Sequence, residues 1–168
     1  MYIYDKYFSE YNHTTAQVLL TRDVTEQPAR KQNVQNTFCR LLELGAIPIV
    51  NENDTVSTEE IEFGGKFGDN DTLSAIVAGL VQADLLVLLT DIDGLYDSNP
   101  RKNPAARLIP VVEQITPQVE AFASGVGSAR GTGGMITKLH AGKIAAQHGI
   151  DMVIMNGSRP QRLYDLLE

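Results

Sequence analysis

Apolar residues fall along this chain in two kinds of run. The first kind is short and continuous: AQVLL at 16–20, AIPIVN at 46–51, DLLVLLT at 84–90 and IDMVIM at 150–155. Runs of this length read as buried strands, and 84–90 has the unbroken character of a parallel strand covered on both faces. LIPVV at 108–112 reads as a further short strand. The second kind recurs at helical spacing. Within 31–44 the apolar positions are Val34, Phe38, Leu41 and Leu42, and Gly45 supplies a stop. Cys39 lies in this helix and is expected to pack in the core. Residues 71–82 and 134–149 read as two more helices. Strands alternating with helices predict an α/β fold whose mostly parallel sheet is flanked by helices on both faces.

The start departs from this rhythm. Five aromatics (Tyr2, Tyr4, Tyr7, Phe8 and Tyr11) crowd the first eleven residues, in what reads as a short helix that buries its rings against a neighbour. Wound α/β domains usually open on a strand that carries the first ligand loop. The chain is therefore expected to be the later part of a longer domain, incomplete at its N-terminus.

Composition narrows the class. The 168 residues suit one domain, and 43% hydrophobic with 21% charged residues is the globular range. No apolar run approaches a membrane span, and MYIYDKYFSE is not a leader peptide. One cysteine cannot staple the chain, so a cytoplasmic protein is expected. The net charge of −7 is a poor balance for nucleic-acid or anionic-membrane binding. All of that excess lies in residues 1–84, and seven acids stand in 51–71 against the single Lys66.

Three segments carry candidate chemistry. In LLVLLTDIDGLYDSNPRKNP (85–104) a strand delivers Thr90 and Asp91 at its C-terminal end, where open parallel sheets bind ligands. Asp91 and Asp93 could equally cap a turn closed by Gly94. A calcium loop is excluded, because Leu95 and Tyr96 stand where the EF-hand pattern needs a ligand and a glycine. In 49–75, Asn51, Asn53 and Asp54 follow a strand, and Asp69-Asn70-Asp71 stand where a helix begins. Asp69 or Asp71 could be an N-cap, but three such residues exceed what capping requires. The third segment runs from Gly125 to Lys138, a glycine-dense stretch entering a helix. Such loops bring backbone N–H groups to phosphates, and Lys138, one turn into the helix, can reach back over it. It is neither a Walker loop, since Leu139 follows Lys138, nor a dinucleotide fingerprint, since Arg130 breaks the glycine spacing. As a bare glycine loop it could also be an ordinary turn. His13, His140 and His148 have no carboxylate or cysteine at ligand spacing, and no metal site is read from the side chains.

Together these segments resemble the amino acid kinase family. The matching stretches are AQVLLTRDV (16–24), IPIVNENDTV (47–56), FGDNDTLSA (67–75), LLVLLTDIDGLY (85–96) and GTGGMITK (131–138). Asn-Glu-Asn-Asp followed by Gly-Asp-Asn-Asp is the specific part, and it is similar to the branch that phosphorylates glutamate. The acetylglutamate, aspartate, uridylate and carbamate branches share the other stretches more loosely. The resemblance implies a three-layer sandwich and ATP-dependent phosphorylation of the γ-carboxylate of glutamate, the first step towards proline. It implies that Asp54 and Asn70 hold the amino acid. Thr90, Asp91 and the loop Thr132, Gly133, Gly134, Met135, Ile136, Thr137 and Lys138 would hold ATP with Mg2+. Asp71 would organise the catalytic lysines, of which Lys138 is one. A cytoplasmic homo-oligomer acting on small molecules, with no nucleic-acid or membrane partner, is the implied setting. The family's opening strand-loop, with its lysine, and the C-terminal RNA-binding-like domain of many members do not occur within residues 1–168. The rival readings are a non-catalytic module keeping part of a nucleotide site, another kinase of the family, and an oxidoreductase already lacking its fingerprint.

Overall fold

The computed structural model describes residues 1–21, 24, 27–55, 69–124 and 134–166. The chain divides into two compact units, residues 1–73 and 74–168.

In the first unit, helix α1 (Tyr2–Ser9) leads into strand β1 (Thr14–Leu20), helix α2 (Pro28–Glu43) and strand β2 (Ala46–Glu52). β1 and β2 pair in parallel from Thr14 opposite Ala46 to Leu20 opposite Glu52. Pro28 opens α2, where its missing N–H costs nothing. Gly45 ends it at φ 70°, a left-handed conformation that glycine adopts without penalty.

Two expectations fail here. Cys39 is exposed, because the adjacent Phe38, 1% exposed, takes the inward position and the next residue lies about 100° round the helix. The aromatic rings of α1 are not buried either: none of its residues is, and Tyr2 and Tyr7 are 78% and 58% exposed. The local sequence makes an aromatic helix, but within the described residues its tyrosines stay exposed and only Phe8 is half-buried.

Helix α3 (Asn70–Val81) runs from the first unit into the second. The second unit continues with strand β3 (Leu85–Thr90), helix α4 (Pro117–Ser124), helix α5 (Met135–Gln147), strand β4 (Asp151–Asn156) and a short 3-10 turn over Pro160–Leu166. β3 and β4 pair in parallel, from Leu85 opposite Asp151 to Thr90 opposite Asn156, so both strands end level. Leu86 and Leu88 join Ala75, Ala78, Ala141, Ala145 and Ile150 in one core cluster. The other face of β3 is less covered than its sequence predicts, since Leu89 is 53% exposed. Residues 108–112 form no strand: Leu108 makes a single antiparallel bridge to Tyr96, and Pro110 has no N–H to extend a ladder.

Small residues set how α5 lies. Ala141, Gly142 and Ala145 are buried, and a Cβ on Gly142 would come within 2.9 Å of the Met152 methyl on β4. The turn from Gln147 to Asp151 is too short for anything but an antiparallel return, which brings the start of α5 to the end of the unit where β3 and β4 finish. A second core cluster shows the result, with Met135 and Leu139 packed with Ile92, Leu95 and Ile154.

Candidate functional site

The end of β3 is a polar step on an apolar ladder. Thr90 keeps its place through its carbonyl, which accepts the Gly157 N–H at 2.9 Å. Its hydroxyl donates to Asp91 Oδ1 at 3.3 Å. The other carboxylate oxygen, Oδ2, accepts a hydrogen bond from Arg101 Nη2 at 2.6 Å. Partial desolvation is the largest single influence on Asp91 and raises its pKa. Its own backbone N–H, the Thr90 hydroxyl and the charge and hydrogen bond of Arg101 together outweigh that, holding the carboxyl below its ordinary value. A lowered folded value means that the pairing is present at neutral pH and is lost only as the pH falls through that value.

The start of α5 stands beside this strand end through the second core cluster. Gly134 precedes the helix, and the Thr137 side chain folds back onto it. The Thr137 hydroxyl accepts the Gly134 N–H at 3.2 Å and donates to the Gly134 carbonyl at 2.7 Å. This clasp fixes the entry into the helix. Lys138, half-buried, is the fourth residue of α5 and so lies in its first turn. Met135 is buried as packing, which makes it a support for the site and leaves the exposed Ile136 to face outward. Ile136 lines a cavity of about 390 Å3 together with Glu120, Ala121, Ala123, Leu139, His140 and Lys143. Lys143 and Glu120 pair across it. Of the expected nucleotide loop, Thr132 and Gly133 lie outside the described residues.

In the first unit the candidate residues again stand at element ends. The Asn53 N–H donates to the Leu20 carbonyl at 2.7 Å, carrying the pairing one residue past β2. Its side-chain oxygen accepts the Thr55 hydroxyl at 2.7 Å. Asp54 sits exposed between them, held by the turn it belongs to. Asp69 settles the capping question for α3, since its Oδ1 accepts the Thr72 N–H at 2.9 Å. Its Oδ2 is buried with no hydrogen-bond partner among the described residues. Asn70 is exposed and Asp71 half-buried, both in the first turn of α3. Neither is the cap of α3. Glu59, Glu60, Glu62 and Lys66 of the acidic stretch lie outside the described residues. Asp69→Ala should lower stability by about 1 kcal/mol, the usual cost of a lost N-cap, as read from the urea midpoint at unchanged slope.

A model of the amino acid kinase family matches residues 1–156. The chain belongs to the amino acid kinase family. It is 58% identical over 167 residues to a glutamate 5-kinase of Clostridium perfringens, covering 99% of this chain and 62% of that protein. It is 54% identical over 168 residues to a glutamate 5-kinase of Listeria innocua, covering 100% and 61%. The chain thus spans about three fifths of the length of these curated relatives. Among solved structures it is similar to an isopentenyl phosphate kinase product complex of T. acidophilum, with a TM-score of 0.59 and 19% identity over 96% of this chain and 58% of that one. A second structure, an isopentenyl phosphate kinase substrate complex, matches at a TM-score of 0.57 and 18% identity over 97% and 60%. These structural likenesses carry the amino acid kinase fold, the α/β arrangement of parallel strands and helices expected from the sequence.

Sequence reasoning missed two parts of the site. One is Arg101, ten residues from the carboxylate it pairs with, a separation with no local signature. The other is α4, which supplies Glu120, Ala121 and Ala123 to the cavity. Its signal was present: Thr116 followed by Pro117 is an N-cap and first-turn pair, and the Thr116 hydroxyl accepts the Val119 N–H at 3.4 Å.

Proposed function

We propose that the protein to which this chain belongs transfers the γ-phosphoryl group of ATP to the γ-carboxylate of L-glutamate, giving glutamyl 5-phosphate and ADP, the entry to proline synthesis. The observation that carries this reading is the 58% identity to a glutamate 5-kinase along nearly the whole chain. In it, Asp54 takes the ammonium group and Asn70 a carboxylate of the amino acid. Thr90, Asp91 and the segment Thr132 to Lys138 take the nucleotide. Lys138 and Asp71 carry the catalytic roles that the resemblance gives them. The cavity beside Ile136 has a volume within the range of small-molecule sites and a largely apolar lining. A homo-oligomer in the cytoplasm is the setting this reading gives.

The chemistry asks little of proton transfer. A γ-carboxylate has a reference pKa of about 4.3 and is ionised at neutral pH, so it attacks without a general base. Its oxygen forms the new bond to phosphorus as the bond to the ADP oxygen breaks. The barrier is the approach of one anion to another, and positioned cations and N–H donors relieve it. Lys138 and the N–H groups at the start of α5 supply those donors. The described carboxylates and histidines form no group of three that could hold a metal ion. Magnesium brought in with ATP would supply further positive charge to neutralise the phosphates.

The test is direct: supply the full-length enzyme with ATP and glutamate and trap the acyl phosphate as its hydroxamate. Acetylglutamate, aspartate and UMP serve as competing acceptors. Product from glutamate alone supports the reading; product from another acceptor, or none, overturns it.

A further inference from the structure

The loop after β3 is built with unusual care for an exposed segment. Asp97 Oδ1 accepts the Arg107 N–H at 2.9 Å and the Ser98 hydroxyl at 3.1 Å. The Asn103 side-chain amide donates to Ser98 Oγ at 3.0 Å. The base is closed by Asp97 N–H to the Arg107 carbonyl and Ile109 N–H to the Leu95 carbonyl, at 3.0 and 2.8 Å. At the tip, the Asn99 side-chain oxygen accepts the Arg101 N–H at 2.9 Å, and its carbonyl accepts the N–H groups of Lys102 and Asn103. Together these bonds brace the loop from which Arg101 reaches back to Asp91.

The ion pair itself does little for folding. Its side chains are 74% and 73% exposed, and exposed pairs contribute almost nothing to stability. Its place suggests another use. Resting on the reading of the strand end as a nucleotide site, Asp91 is a liability: a carboxylate beside a polyphosphate repels it. A guanidinium with one nitrogen at 2.6 Å turns that acid into a neutral pair while leaving acceptor capacity on the carboxylate.

We propose that Arg101 is a positioning residue for the nucleotide, holding the Asp91 carboxylate in place and cancelling its charge so that the strand end accepts a polyphosphate. The effect is electrostatic, so it grows with the charge of the ligand. It also disappears when Asp91 has no charge to cancel.

The experiment is calorimetric binding of ATP, ADP and AMP to the full chain at fixed ionic strength, with circular dichroism to verify folding. Arg101→Ala should weaken ATP on the order of 10-fold and AMP about 2-fold, with ADP between, as one uncompensated charge acting through water requires. Arg101→Lys should stay within about 3-fold of wild type for all three, because the charge remains. Adding Asp91→Asn to Arg101→Ala should recover ATP affinity, an interaction that a merely structural arginine would not show. Equal losses for the three nucleotides, no loss at all, or no recovery in the double variant would each overturn the proposal. Wild-type chain that binds none of them overturns the nucleotide reading itself, a separate outcome visible before any variant is made.

Discussion

Lys138→Ala in the full-length enzyme should lower kcat on the order of 10²–10³-fold with a smaller change in the KM for either substrate. The reason is where the charge is needed. Bound ATP and bound glutamate are both anions in the ground state, and the phosphoryl group gathers further demand for cationic partners as it moves between two oxygens. A lysine in the first turn of α5 adds its ammonium to the N–H groups of a helix start, at a place the Thr137 clasp and the Met135 packing keep fixed. Rapid-mixing or steady-state assay of the variant at saturating substrates reads the effect. An unchanged kcat removes Lys138 from the mechanism.

Asp54→Ala should act on the other substrate, raising the KM for glutamate by about 10²-fold, the scale of a lost charge-assisted hydrogen bond. The KM for ATP should move by less than about 3-fold. Asp54 stands in a turn whose geometry is kept by Asn53 and Thr55, so its removal deletes a partner for the ammonium group without dismantling the turn. Equal damage to both KM values would assign Asp54 a structural role instead. Substrate-saturation curves for the two substrates, each at saturating partner, separate the outcomes.

Much of the fold was legible because strand and helix periods differ so clearly here. The four runs read as strands are found within two residues of their expected ends, and so is the starting point of α5. What failed depends on neighbours rather than on local pattern. Cys39 and Phe38 are both apolar and adjacent, and only packing decides which one turns inward. The aromatic start makes its helix, but the sequence cannot say what, if anything, in these residues covers its rings. Residues 108–112 show a strand composition that Pro110 defeats. At the candidate site, Thr90, Asp91 and Lys138 could be placed from sequence because strand ends and helix starts are readable. The Arg101 partnership could not, because it depends on a loop closing over ten residues through side-chain bonds of Asp97, Asn99 and Asn103.

The alanine and glycine seam along α5 has a bearing on how this enzyme would tolerate change. With Ala141, Gly142 and Ala145 pressed against the strands, there is no slack beneath the rod that carries the lysine. A bulkier residue one or two turns downstream would tilt the rod like a shim under a lever, and the far end would travel most. Drift at these positions would cost stability through overpacking and, on the proposed reading, would also displace Lys138.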